Sequence, residues 1–344
     1  MKSFLIFSAF ALVGSCATTK YSTKIENLQS NIQIKDSLLV TTYANSITAK
    51  ELKEHLYAFA SEEFEGRAVG EIGQKKAASF LKGFYQKENI EPANKQSYFQ
   101  TIPSSYFPND IKASENVLAY IKGTEKPEEF LIISGHFDHL GIENNEIHFG
   151  ADDNGSGTSA ILEIAQAFKL AKENGYSPKR SVLFLHLTAE EIGLQGSRYF
   201  IQNPPINLNN VIANLNIDMI GRVDERHIDN PDYIYIIGAD RISKELHFIS
   251  EKMNKSFTKL ELDYRYNEEN DSNRYYYRSD HYNFAKQNIP VIFYFNGTHI
   301  DYHKPTDTPE KINYPLLEKR AKLIFTTAWY IANRKNRLVN NEDI

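Results

Sequence analysis

Several runs of this sequence are almost wholly apolar and break off near an acid or a histidine. "FLIISG" leads into His136-Phe137-Asp138, "SVLFLHLTA" into Glu190-Glu191, "VIANLNI" into Asp218, and "IPVIFYFNG" precedes His303. Apolar runs without polar alternation suit strands buried on both faces, the condition of a largely parallel sheet covered by helices on each side. Helix-patterned segments stand between the runs. "GEIGQKKAASFLKGFYQKENI" opens one after Gly73, "SGTSAILEIAQAFKLAKENG" carries a glycine stop, "SKELHFISEKMNKS" is a third, and Tyr314 to Arg334 closes the series. "SYFQTI", "NVLAYIKG" and "YIYIIGAD" add strands. Strands alternating with helices, and no internal repeat, predict a single α/β domain with a largely parallel mixed sheet flanked by helices on both faces.

Order is expected from Thr48, where "TAKE" fits a capping box of Thr48 with Glu51 ahead of Leu52, Leu56 and Phe59. The domain is expected over 48–335, with 336–344 as a C-terminal tail. The stretch 223–275 is polar and rich in Tyr, Asp, Glu and Asn, so it reads as a surface loop, lid or specificity insertion.

The N-terminus reads differently. "MKSFLIFSAFALVGSC" has one lysine, an apolar stretch and then small residues, the pattern of a signal peptide over 1–15. Val13-Gly14-Ser15-Cys16 resembles the lipobox of bacterial lipoproteins, and Cys16 is the only cysteine in the chain. Lipidation explains that thiol; cleavage near Ala17 with a free thiol is the plainer alternative. Residues 16–47 would then be a lipidated N-terminus and tether, which implies an exported, membrane-anchored protein of the bacterial envelope. The net charge of −5 comes without any block of lysine and arginine, which argues against a nucleic-acid partner.

In open α/β sheets, sites form outside the carboxyl ends of the strands. Each polar residue at that edge has a plain structural explanation: a cap, a solvated glutamate pair, a satisfied histidine. Their convergence does not. "GADDNGSG" (150–157) adds Asp152 and Asp153 on a flexible loop. Repulsion among so many carboxylates calls for a cation, and two histidines with several carboxylates suit zinc. Either aspartate of the pair is placed to bridge two ions.

The segments "SGHFDHLG", "GADDNGSG", "TAEEIGLQGS", "NIDMIGR" and "YHKPTDT" together resemble the zinc exopeptidases of the aminopeptidase Y type, over roughly residues 48–335. That group includes secreted bacterial leucyl aminopeptidases and glutamate carboxypeptidase. The resemblance implies two zinc ions, with His136 and Asp218 on one, Glu191 and His303 on the other, and Asp153, rather than Asp152, between them. It implies Asp138 behind His136, accepting its second N–H, and a cis peptide bond between Asp153 and Asn154. Glu190 would be the general base, Tyr302 would help hold the oxyanion, and Arg278 would touch substrate. His139, His281 and His299 are assigned to core or surface.

The implied activity is an aminopeptidase acting on peptides, with no obligate protein partner. A carboxypeptidase of the same fold, a glutaminyl cyclase using one zinc, and a catalytically inactive binding relative are the alternatives. Complete "GADDNGSG" and "TAEEIG" motifs speak against the cyclase, and the full set of five ligand residues speaks against the inactive relative. An acidic site edge favours an amine over a terminal carboxylate.

Overall fold

The computed structural model describes residues 21–344. The expected leader over 1–15 and Cys16 lie outside the described residues.

The strands are β1 (Glu91–Pro92), β2 (Phe99–Ile102), β3 (Ser114–Ile121), β4 (Lys126–His136), β5 (Gly141–Glu143), β6 (Glu146–His148), β7 (Arg180–Leu187), β8 (Val211–Ile217), β9 (Tyr233–Ile237), β10 (Glu261–Asp263) and β11 (Val291–Phe295). Nine of them form one sheet in the order β1-β3-β7-β4-β8-β11-β9-β10, with β2 also paired to β3, and β5 and β6 form a separate hairpin. The four central strands β7, β4, β8 and β11 run parallel. Antiparallel neighbours flank them: β3 beside β7, and β9 beside β11. The sheet is therefore mixed and largely parallel, as its apolar runs predict.

Both faces are buried, and the period-two alternation of a strand divides the side chains between them. Along β7, Val182 and Phe184 join the larger core, while Leu183, Leu185 and Leu187 join the other. The principal helices are α1 (Ser37–Ala44), α2 (Ala49–Phe59), α3 (Ile72–Lys87), α4 (Gly157–Glu173), α5 (Gln195–Gln202), α6 (Lys244–Met253), α7 (His281–Ala285) and α8 (Tyr314–Asn333). The larger core takes Leu52, Leu56 and Phe59 of α2, Leu81 of α3, Ile161 and Phe168 of α4, Ile249 of α6 and Leu317 of α8. Phe200 of α5 and Phe284 of α7 pack on the opposite face. Thr48 caps α2, its hydroxyl accepting the Glu51 N–H at 3.2 Å and donating to the Glu51 carboxylate at 2.7 Å.

Three expected boundaries move. Order starts before Thr48: residues 21–30 are helical, and α1 buries Val40, Tyr43 and Ala44, with the Tyr43 ring stacked 5.7 Å from Trp329 of α8. An aromatic pair of this kind fixes the segment to the core, so most of the stretch expected as tether is folded chain. Residues 336–344 are not a free tail, because Val339 N–H donates to Glu245 at 2.9 Å and Asn341 accepts the Lys244 N–H at 2.8 Å. The polar span 223–275 is no insertion. It contributes β9, buried along its whole length beside β11, together with α6 and β10. Four of its five tyrosines, Tyr233, Tyr235, Tyr266 and Tyr275, are buried, and Tyr264 is half-buried. No helix among the described residues is long and apolar enough to cross a membrane.

Candidate metal centre

The parallel strands deliver their polar ends to one edge. His136 is the last residue of β4, Asp218 follows β8, Glu190 and Glu191 follow β7, and His303 follows β11. The "GADDNGSG" loop enters between them. All five, with Asp153, line a cleft of about 350 Å³ that also includes Tyr302, Arg278, Met219, Tyr275, Phe293 and Phe295. Every residue expected to act on metal or substrate, apart from those noted below, is thus on one surface.

His136 Nε2 stands 3.2 Å from Asp153 Oδ1 and 3.3 Å from Asp218 Oδ1. On the far side of Asp153, His303 Nε2 stands 3.1 Å from Asp153 Oδ2 and 3.3 Å from Glu191 Oε2. Metal–ligand bonds to these donor types run about 2.0–2.2 Å, so donors on one tetrahedral ion lie roughly 3.3 Å apart along an edge. The four contacts match that edge, and they form two sets sharing the two oxygens of Asp153. The residues present therefore fit a pair of zinc ions.

The paired aspartates separate cleanly. Asp152 turns away: Oδ1 accepts the Gly221 N–H at 2.7 Å and Oδ2 meets His299 Nε2 at 3.1 Å. Asp153 alone faces His136 and His303. The peptide bond after it is cis, as the resemblance implies. Asn154 ties the ends of β4 and β8 to the start of α4, its amide donating to Ile217 O at 2.8 Å and to His136 O at 3.2 Å, while its carbonyl accepts Met219 N–H and Gly157 N–H at 3.0 Å each.

Asp138 differs from expectation. His136 Nδ1 meets the backbone carbonyl of Asp138 at 3.1 Å, whereas its nearest carboxylate oxygen is 3.8 Å away. That carboxylate accepts the backbone N–H groups of Glu190 at 3.1 Å and Glu191 at 3.3 Å instead. It holds the turn of the glutamate pair, while the main chain orients His136.

His139 also departs from its core-or-surface assignment. Its Nδ1 lies 2.8 Å from Glu191 Oε1, inside the centre. The other two excluded histidines stay off the centre: His299 braces Asp152, and His281 stacks on Phe293 at 4.8 Å. Sequence reasoning also missed Arg67, Ser279 and Asp307. Arg67 is fully buried and donates to the carbonyls of Phe137, Phe149 and Gly150 at 2.9, 2.7 and 2.9 Å, joining the end of β4 to the aspartate loop. Ser279 Oγ donates to Asp218 Oδ2 at 2.6 Å. Asp307 Oδ2 accepts the N–H groups of Asp152 at 2.9 Å and Asp153 at 3.2 Å. Asp307 stands in the "YHKPTDT" motif and His139 in "SGHFDHLG", so both lay within quoted segments. Arg67 carried no such signal.

The electrostatics are those of a cation site. Burial and the neighbouring charges of Glu191 and Asp218 push Glu190 well above the usual carboxylate range, despite His136. Burial opposes charge on Asp153 too, yet hydrogen bonds from His136 and His303 hold it well below that range. Burial raises the Tyr302 hydroxyl, and the four surrounding carboxylates raise it further. Tyr302 stacks on His303 with ring centroids 3.8 Å apart. Arg278 is exposed at the rim, its guanidinium 4.9 Å above Tyr275.

Residues 116–328 match the model of the family described as Peptidase family M28. Among curated relatives, the chain is 29% identical over 269 residues to leupeptin-inactivating enzyme 1 of Streptomyces exfoliatus, covering 77% of this chain and 52% of that protein. It is 35% identical over 109 residues to a probable glutamate carboxypeptidase, AMP1, of Arabidopsis thaliana, covering 31% of this chain and 14% of the relative. The chain thus spans about half the length of the first relative and far less of the second. Among solved structures, the LapA aminopeptidase of Legionella pneumophila superimposes with a TM-score of 0.69 at 21% identity, over 88% of this chain and 77% of that one.

Proposed function

The chain belongs to peptidase family M28, and on that premise we propose that it is a two-zinc aminopeptidase removing N-terminal residues from peptides. The observation that carries the reading is the doubled donor set, two tetrahedral edges on each side of Asp153 with Glu190 beside them. His136 and Asp218 would hold one zinc, Glu191 and His303 the other, and Asp153 both.

Bound there, the zinc ions supply Lewis acidity and lower the pKa of water. Glu190 takes the proton of the attacking water and returns it to the leaving amine. Tyr302, kept protonated by burial and by its carboxylate neighbours, donates its O–H to the oxygen of the carbonyl under attack. Arg278 contacts the substrate at the rim. The apolar wall of Met219, Tyr275, Phe293 and Phe295 favours a large apolar first side chain. The cleft is lined by one arginine and no lysine, too little basic charge to clamp a terminal carboxylate, which favours the amino end of a peptide.

Mass spectrometry of a mixed peptide pool incubated with the zinc-loaded protein tests the reading. Stepwise loss of N-terminal residues, blocked by N-acetylation, is expected. Trimming from the C-terminus would replace it with a carboxypeptidase, and loss of ammonia from glutamine-started peptides with a cyclase. An apolar leader followed by Cys16 supports export and lipid anchoring in the cell envelope. Metabolic labelling with a fatty-acid analogue should mark the wild-type chain and not Cys16→Ser.

A further inference from the structure

We propose that His139 is a positioning residue of the centre: it holds Glu191 by one carboxylate oxygen so that the other faces the ion shared with His303. The inference rests on the two-zinc reading above. Among the described residues, His139, Asp153 and Glu191 also lie close enough to share an ion, but two distances favour positioning over direct ligation. His139 Nδ1 lies 2.8 Å from Glu191 Oε1, a hydrogen-bond length, shorter than the 3.1–3.3 Å separations of the donor pairs. Its distance to Asp153 Oδ2 is 3.8 Å, longer than a tetrahedral edge. His303, by contrast, meets the opposite oxygen, Oε2, at 3.3 Å. The Glu191 carboxylate is thereby divided: Oε1 belongs to His139 and Oε2 to the ion.

A carboxylate is an acceptor only, so Nδ1 of His139 carries a hydrogen. Nε2 is buried without a hydrogen-bond partner. A ring that leaves one nitrogen unpartnered is held for what the other does. The surroundings hold it firmly. Its backbone N–H donates to the carbonyl of Arg67 at 3.2 Å. Gly150 leaves it room, since a Cβ there would lie 2.6 Å from the His139 ring and 2.2 Å from the Asp153 carbonyl. The first glycine of "GADDNGSG" is thus required by His139 of "SGHFDHLG" as well as by its own φ of +53°. Hydrogen bonds to ligating groups commonly set metal affinity by roughly tenfold to a hundredfold.

The test compares His139→Phe, which keeps a ring but donates nothing, with His139→Asn, whose amide N–H falls near the position of Nδ1. Zinc retained is measured against graded chelator, beside the folded state by circular dichroism. The wild-type chain should hold two ions. In His139→Phe one ion should be released at roughly tenfold to a hundredfold lower chelator strength, the other unchanged, and His139→Asn should follow the wild type. Unchanged retention in His139→Phe overturns the proposal. Loss of an ion in both variants also overturns it, in favour of direct ligation. A wild type holding fewer than two ions removes the two-zinc reading itself. If His139→Phe does not fold, a crystal structure of the zinc-loaded wild type decides. Nδ1 on Glu191 Oε1 supports the proposal, and Nδ1 within bonding distance of zinc refutes it.

Discussion

His136 ends a central strand and its side chain is 1% exposed, whereas His303 stands in the loop after β11 and is 36% exposed. The two halves of the centre differ throughout in this way. On the His136 side, both donors leave adjacent parallel strands, β4 and β8, and Ser279 fixes the second oxygen of Asp218. On the His303 side, both donors sit beyond their strands and are held by side chains. Asp301 pins the His303 loop through Arg222 at 2.8 Å, Thr306 at 2.7 Å and Lys311 at 2.6 Å, and His139 holds Glu191. One half inherits its geometry from the sheet, and the other has it assembled by hydrogen bonds. The sheet-anchored half should therefore tolerate loss of a neighbour better.

Glu190 belongs to neither half, and its removal should have the largest effect on turnover. Glu190→Gln should lower kcat by roughly two to four orders of magnitude, the scale of general acid–base catalysis, while metal analysis still finds both ions. Near-normal turnover would remove Glu190 from its role. Loss of an ion would make it a ligand and erase its separation from the two halves.

His303→Ala should cost one ion of the two and leave the His136 half loaded, as read by zinc per chain after dialysis. Two full equivalents would remove His303 from the ligand set. Loss of both would mean that the halves are not independent.

A finer cut removes supports rather than ligands. Asp301→Ala should weaken retention of the His303-side ion by roughly tenfold, and Ser279→Ala should weaken the other ion by less. Equal losses would refute the idea that the sheet does for one half what hydrogen bonds do for the other.

What could be read in advance follows the same division. The strands were legible because residues buried on both faces leave continuous apolar runs, and the donors at their ends could be counted from them. The supports were less legible. Arg67 acts through four carbonyls, those of Phe59, Phe137, Phe149 and Gly150, and no local pattern marks a side chain that caps distant backbone. Ala189, Met219 and His303 all take left-handed conformations, at φ of 58°, 56° and 57°. Alanine and methionine do not advertise that region, and the three residues adjoin Glu190, adjoin Asp218 or are a donor, so the turns that aim these groups are dictated by tertiary contacts. The polar, tyrosine-rich span 223–275 misled for a related reason. Tyrosine counts toward a polar surface in composition, yet Tyr235 is buried with its hydroxyl on Asp224 at 2.6 Å.

The smallest effect is a pH dependence that separates the halves without any metal. Burial pulls the His303 imidazolium down, but hydrogen bonds to Asp153 and Glu191, and then their charges, carry it up to about 10. Its unfolded value is about 6.5. A raised histidine contributes stability that is full below the unfolded value and disappears as pH climbs through the folded one. Metal-free protein should therefore lose thermal stability between about pH 6.5 and 10. Asp153 and Glu191 are held below their usual range, stay ionised across that window and add no slope of their own. The exposed His303 contribution should shrink as salt is added, while the portion from buried His136, also raised, should persist. Zinc needs both rings deprotonated, so the gap in Tm between loaded and metal-free protein should widen with pH. Metal-free His303→Ala should retain only the salt-resistant part of the slope. An unchanged slope in that variant would place the titration elsewhere, and the exposed half would lose its distinguishing property.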